Sequence, residues 1–158
     1  MKNAGKACNN RLYRHIRTFE KIVKNYFVIY YKDLLDANKN IIISSPAISG
    51  QKVYELINML KEKQASGVQI TIVTWTPDSY GFGDAAYWMQ LHEDMCKAGF
   101  YIKTVEESCE RFAVIDQEVV WYGNINLLAK TKVDDSIMRV LSNEIAGELM
   151  EITFGDNS

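Results

Sequence analysis

The sequence predicts an α/β domain in which a mixed, mostly parallel sheet lies between helices. Two short runs rich in β-branched residues, 41–45 and 68–75, fit strands that are buried on both faces. The segment between them, residues 51–65, has apolar side chains at helical spacing and is followed by a serine-glycine pair that ends a helix. Such a strand, helix and strand form a unit whose strands are parallel. With 158 residues, 47% of them apolar, the chain is long enough for one domain with its own core.

The first predicted element is an amphipathic helix, or two in succession, between residues 12 and 35, where apolar side chains recur every three to four positions. Residues 1–32 contain eight Lys or Arg and one Glu. We therefore predict a basic N-terminal segment, residues 1–30, before a domain of residues 31–158. The uneven charge favours an anionic partner, although a solvated helix face beside an acidic body is an equal alternative. The candidates for contact with nucleic acid are Arg11, Arg14, Arg17, Lys21 and Lys24.

The elements after residue 75 complete the predicted sheet. Residues 76–86 form a long loop at the carboxyl end of a strand, where open α/β sheets bind ligands. A helix is predicted over 86–99 and a third strand over 100–105. Residues 111–116 and 118–123 predict a hairpin that turns at Asp116 and Gln117. A further strand over 136–142 and a closing helix over 143–154 follow.

Composition argues against several classes of protein. The longest apolar or aromatic run, residues 26–31, is far shorter than the roughly 18 residues that span a membrane. The N-terminus lacks the pattern of a signal peptide, so we expect a cytoplasmic protein without a membrane segment. The three cysteines and two histidines have no metal-ligand spacing, and we expect no disulfide framework, no metal site and no cofactor.

Polar residues flank the predicted hairpin at positions that suit a binding site. Cys109 and Arg111 are two residues apart on an expected strand, so both side chains would lie on one face and point into one pocket. A glycine after the second strand would let a phosphate approach the backbone, and amide side chains would donate to it. The further candidates in this group are Asp116, Gly123, Asn124 and Asn126.

This pattern resembles the signature of the phospholipase D superfamily, a nuclease and phosphodiesterase group in which H-x-K-x4-D precedes a G-[SG]-x-N stretch. The resemblance extends from about residue 31 to residue 154 and implies the phospholipase D-like fold. The motif is degenerate, since Cys109 occupies the place of the histidine and Arg111 that of the lysine. Asn124 stands where a serine is usual. The matching positions are Asp116, Gly123 and Asn126.

The resemblance implies a chemistry that these exchanges disturb. In the family, one histidine attacks phosphorus to form a phosphohistidine, a second protonates the leaving oxygen, and no metal is needed. A chain with one copy of the motif completes the site in a symmetric dimer, so we expect a homodimer. Arg111 retains the ability to clamp a phosphate. A structural alternative is that Arg111 pairs with Asp116, Glu110 or Glu118.

We therefore interpret the chain as a catalytically impaired domain that binds the phosphate backbone of DNA or RNA and dimerises. By analogy with similar single-motif domains, it would belong to a helicase or restriction-type DNA-processing system. One alternative is an active, metal-independent dimeric nuclease or phosphodiesterase in which Arg111 lowers the pKa of the Cys109 thiol and activates it. A further alternative is a structural interaction domain without a ligand.

Overall fold

A six-stranded mixed sheet with helices on both faces frames the molecule, which is described here by a computed structural model. The structure describes residues 26–80, 84–132 and 135–155. In chain order, the elements are α1 (26–35), β1 (Asn40–Ser44), α2 (Gly50–Ala65), β2 (Gln69–Trp75), a 3₁₀ turn (Pro77–Tyr80), α3 (Ala85–Lys97), β3 (Tyr101–Val105), β4 (Phe112–Ile115), β5 (Val119–Gly123), β6 (Ile137–Leu141) and α4 (Asn143–Phe154).

The strand order in the sheet is β3-β2-β1-β4-β5-β6. Strands β1, β2 and β3 pair in parallel, while β4, β5 and β6 continue the sheet in antiparallel pairings. Four strands, β1, β2, β3 and β5, thus run in one direction. The predicted α/β class with a mixed sheet flanked by helices is confirmed. We call the sheet end where these four strands finish the upper edge, and the opposite end the lower edge.

The two faces of the sheet bury separate apolar clusters because side chains alternate along each strand. Ile41 and Ile43 join the larger cluster under α1, α2 and α3, whereas Ile42 joins a smaller cluster under α4. All four residues of β4 are buried. The prediction that residues 41–45 are buried on both faces of the sheet is confirmed.

Helix α1 is joined to strands β5 and β6 by a polar network beside the larger apolar cluster. Asp33 accepts hydrogen bonds from Trp121 Nε1 at 2.8 Å and from Arg139 Nε at 2.7 Å and Nη2 at 2.9 Å. Tyr30 is buried and meets Trp121 edge-on, with 5.6 Å between the ring centroids. Helix α1 therefore crosses the boundary expected after residue 30. The candidates Arg11, Arg14, Arg17, Lys21 and Lys24 lie outside the described residues.

The hairpin between β4 and β5 turns at the two residues that the sequence predicts. Asp116 and Gln117 have φ angles of 53° and 59°, the left-handed conformation that a two-residue type I′ turn requires. Aspartate tolerates this conformation better than most residues that carry a Cβ. Among the described residues, no helix has the length and apolar character needed to cross a membrane.

Candidate functional site

Five of the six candidates from the hairpin region lie at the upper edge. The pairing of Phe112 with Tyr122 sets the start of β4 beside the end of β5, and the N–H of Gly123 donates to the carbonyl of Arg111 at 3.4 Å. The residues just before β4 and just after β5 are therefore neighbours. The five candidates at this edge are Cys109, Arg111, Gly123, Asn124 and Asn126.

Arg111 and Asn126 form a direct contact at this edge. The Oδ1 atom of Asn126 accepts from Arg111 Nε at 3.3 Å and from the N–H of Ala47, in the loop after β1, also at 3.3 Å. Both bonds use the amide oxygen, which leaves the amide nitrogen as a donor. Within the described ranges, the terminal nitrogens of Arg111 have no protein acceptor. The arrangement presents guanidinium and amide donors side by side.

The acidic residues considered as partners of Arg111 are engaged elsewhere or make no ion pair with it. Glu110 Oε2 accepts from the Tyr122 hydroxyl at 3.0 Å. Asp116 lies at the lower edge, and in residues 26–80, 84–132 and 135–155 no carboxylate is paired with Arg111. The ion pairs of Arg111 with Asp116, Glu110 or Glu118 that form the structural alternative are therefore not present among the described residues.

Asp116 is separated from the other candidates by the length of β4, roughly 17 Å for five residue steps. Its carboxylate accepts from three consecutive backbone N–H groups: Oδ1 from Asn38 at 3.1 Å, Lys39 at 2.7 Å and Asn40 at 3.1 Å, and Oδ2 from Asn38 at 2.9 Å. These bonds join the hairpin turn to the start of β1. The structure therefore does not bring Asp116 together with Cys109 and Arg111.

Cys109 has a different environment from Arg111. The expectation that both lie on a strand is wrong, since β4 begins at Phe112. The Cys109 side chain is half-buried and packs against the smaller cluster. Its sulfur is 3.5 Å from Ser44 Oγ and 4.0 Å from the carbonyl oxygen of Val73. The thiol and the guanidinium therefore have separate sets of partners.

Burial raises the pKa of the Cys109 thiol above its ordinary value. A hydrogen bond with Ser44 and the charge of Arg111 act in the opposite direction, and the charge of Glu110 adds to the rise. Arg111 does act to lower this pKa, as the sequence argument expects, but desolvation is the larger effect and the net shift is a rise. The thiolate is the nucleophilic form of cysteine, so a raised pKa lowers the fraction of Cys109 that is nucleophilic near neutral pH.

The pH dependence of Cys109 alkylation tests this assignment. We expect the rate of alkylation by iodoacetamide to rise with pH, and peptide mapping resolves the rate of each cysteine. The midpoint pH for Cys109 in the folded protein should lie above the midpoint pH for Cys109 in the urea-unfolded chain. The reason is that burial disfavours the thiolate only in the folded protein. A folded-state midpoint below the unfolded one would instead identify an activated thiolate.

Gly123 and Asn124 hold the backbone of the upper edge. A Cβ at Gly123 would lie 2.1 Å from the carbonyl oxygen of Ser136, so this close approach requires glycine. The N–H of Asn124 donates to the Ser136 carbonyl at 3.1 Å, and Asn124 Oδ1 accepts from the Ser136 N–H at 2.6 Å. These contacts with Ser136 give Gly123 and Asn124 a structural role between β5 and β6. A role for them in phosphate binding stays a prediction.

Two residues that the sequence analysis did not select belong to this edge. Ser44 is buried at the end of β1 and donates to the Glu110 carbonyl, which fixes the segment before β4. Tyr122 is exposed and directly precedes Gly123. In the sequence, the position of Ser44 directly after three isoleucines could have indicated a polar residue at the end of a buried strand. The position of Tyr122 directly before the candidate Gly123 could have indicated that it belongs to the same edge.

A family model described as "Cardiolipin synthase, PLD-like domain" matches residues 30–153. The solved structure of Nuc from Salmonella typhimurium, a phospholipase D family member, is 14% identical with a TM-score of 0.57, covering 79% of this chain and 82% of Nuc. For NucT from Helicobacter pylori the identity is 9% and the TM-score 0.59, over 84% of this chain and 87% of NucT.

TrmBL2, an archaeal chromatin protein described as having a novel mode of DNA binding, is 10% identical with a TM-score of 0.54. The likeness covers 94% of this chain and 62% of TrmBL2. At these identities the three structures are similar to this chain in fold. No curated protein sequence matches it significantly.

Proposed function

Because the chain belongs to the family of phospholipase D-like domains, we propose that it binds the phosphate backbone of nucleic acid at Arg111 and Asn126. One observation carries the proposal: Arg111 is oriented by Asn126, yet no described carboxylate neutralises it. A guanidinium with free terminal nitrogens binds phosphate in a bidentate manner. The fold likeness to TrmBL2, which is described as binding DNA, supports nucleic acid as the source of the phosphate.

The same domain is proposed to be impaired in phosphodiester cleavage. The residue at the place of the family histidine, Cys109, is a half-buried thiol whose pKa is raised by burial. A partner thiol in a dimer is also a poor general acid near neutral pH, and positioned acid catalysis is worth about 10²- to 10⁴-fold in rate. Phosphate binding by Arg111 does not depend on the thiol. Binding therefore survives where catalysis is lost.

Two further parts of the proposal concern partners. A homodimer that joins the upper edges of two subunits would place two copies of Arg111 near one two-fold axis. This arrangement follows from the resemblance of a chain with a single motif to the family. A role beside a helicase or a restriction-type system is proposed by analogy with similar domains.

Replacing Arg111 with alanine tests the binding site. Anisotropy of a labelled 20-nucleotide DNA is expected to show affinity at least about 10-fold weaker, since a hydrogen bond to a charged group contributes about 1.5–3 kcal/mol. The slope of log affinity against log salt concentration should decrease in magnitude by about 1, the change expected for the loss of one phosphate contact. Lys61→Ala is the matched control, because it removes the same charge from an exposed position on α2.

Two results would contradict the proposal. Equal effects of Arg111→Ala and Lys61→Ala, or wild-type protein that binds no nucleic acid at low salt, would remove Arg111 as a phosphate ligand. Turnover of bis(p-nitrophenyl) phosphate in EDTA that Cys109→Ala abolishes would instead establish the active alternative.

A further inference from the structure

An exposed aromatic and apolar patch lies next to the phosphate-binding residues. Tyr122 alternates with the buried Val120 and therefore lies on the α4 face of the sheet. Tyr122 is 40% exposed, and its register partner on β6, Met138, is 48% exposed. Helix α4 thus leaves this end of its face open to a ligand.

The Tyr122 ring is fixed beside the segment that carries Arg111. Its hydroxyl donates to Glu110 Oε2 at 3.0 Å, and Glu110 directly precedes Arg111. The backbone adds a second connection, because the next residue, Gly123, donates to the Arg111 carbonyl. Tyr122 near the end of β5 and Arg111 just before β4 are therefore neighbours along the backbone of this edge, where adjacent strands are roughly 5 Å apart.

The charges around the two residues differ in sign. Arg111 is a cation without a described carboxylate partner, whereas the ring has the Glu110 carboxylate at its hydroxyl. Glu106 and Glu107, both exposed, belong to the same loop before β4. A phosphate is favoured at Arg111 and disfavoured at Tyr122. The surface beside Tyr122 suits an uncharged, flat group attached to that phosphate.

We infer that Tyr122 is a stacking platform for an unpaired base, so that the preferred ligand of this site is single-stranded nucleic acid. The inference rests on the proposed phosphate site at Arg111. Stacking on an aromatic ring needs an exposed base face, which single strands offer and a duplex hides between neighbouring pairs. Arg111 then holds the backbone while Tyr122 selects strands with free bases.

The experiment compares three labelled probes of equal length: a single-stranded DNA, the same strand with abasic sites, and the corresponding duplex. For wild-type protein we expect the tightest binding to the intact single strand. Tyr122→Ala should weaken that binding by about 5- to 100-fold and leave binding of the abasic strand nearly unchanged. Tyr122→Phe should retain most of the affinity, because it keeps the ring and loses only the hydroxyl bond to Glu110.

Tyr101→Ala is the matched control, since Tyr101 is 61% exposed at the start of β3 on the lower edge. The inference is overturned if the wild type binds intact and abasic strands equally, or if Tyr122→Ala and Tyr101→Ala have the same effect. Failure of the phosphate site is a different result, in which Arg111→Ala leaves binding of all three probes unchanged.

Light scattering on the same variants tests the competing occupant, a second copy of the chain. Retention of most of the affinity by Tyr122→Phe and an unchanged molecular mass of Tyr122→Ala support stacking of a base. A wild-type dimer that Tyr122→Ala converts to monomer would assign the patch to the subunit interface and overturn the inference.

Discussion

Replacing Asp116 with alanine is expected to lower the free energy of unfolding by about 3 kcal/mol, measured by urea denaturation. The carboxylate accepts the N–H groups of Asn38, Lys39 and Asn40, and hydrogen bonds to a charged group contribute about 1.5–3 kcal/mol. Alanine would also have to adopt the left-handed φ of 53°, which costs a residue with a Cβ about 1–2 kcal/mol. The hairpin turn and the start of β1 would separate.

Asp116→Asn is the informative companion to this variant. Asparagine tolerates the left-handed conformation and keeps one acceptor oxygen, so the loss should be smaller, about 1 kcal/mol. The folded fraction of either variant should bind DNA as the wild type does, because the upper edge is unchanged. Wild-type stability combined with lost binding would assign Asp116 to the ligand site and contradict the structural role.

Replacing Trp121 with alanine is expected to lower the free energy of unfolding by about 3–5 kcal/mol, the range for truncating a large aromatic side chain in a core. Trp121 is fully buried and touches the ring of Tyr30 in α1. Its Nε1 also donates to Asp33, which lies in the same helix. The variant removes packing and a hydrogen bond at one point, so α1 should detach before the sheet unfolds.

Trp121→Phe divides this effect into its two parts. Phenylalanine keeps much of the ring packing and removes the N–H, while Arg139 still holds Asp33 with two hydrogen bonds. We expect about 1–3 kcal/mol of destabilisation. If the phenylalanine and alanine variants unfold at the same urea concentration, the hydrogen bond to Asp33, and not the packing, would be the main contribution.

The fold was predictable because its signals are local. Strands β1 (Asn40–Ser44) and β2 (Gln69–Trp75) lie within one residue of the predicted runs 41–45 and 68–75, and a β-branched run between turn residues indicates a strand directly. The prediction that the second strand is fully buried is too strong, since Gln69 is exposed and Thr71 is half-buried on one face of β2. The hairpin at Asp116 and Gln117 also follows from neighbouring residues, since two runs rich in β-branched and aromatic residues are joined by these two residues. The bounds of β4 were missed at Cys109 and Arg111, where no turn residue marks the start of the strand.

The candidate site was predictable only in its location. The carboxyl ends of the strands and the start of β4 meet at one edge, so Arg111 and Asn126 come together as expected. The state of Cys109 depends on Ser44 and Val73, which are distant in sequence, and burial reverses the expected direction of its pKa. The acceptor role of Asp116 toward residues 38–40 is likewise a tertiary contact that no local pattern contains.

Strand β4 gives the motif its spacing. The four residues between Arg111 and Asp116 are the strand itself, and alternate side chains enter the two clusters. Inserting or deleting one residue would exchange the two faces and move the aspartate away from the start of β1. The number of residues between Arg111 and Asp116 therefore equals the length of one strand of the sheet. A substitution at Cys109 or Arg111 would therefore leave the backbone contacts of Asp116, at the opposite end of the strand, in place.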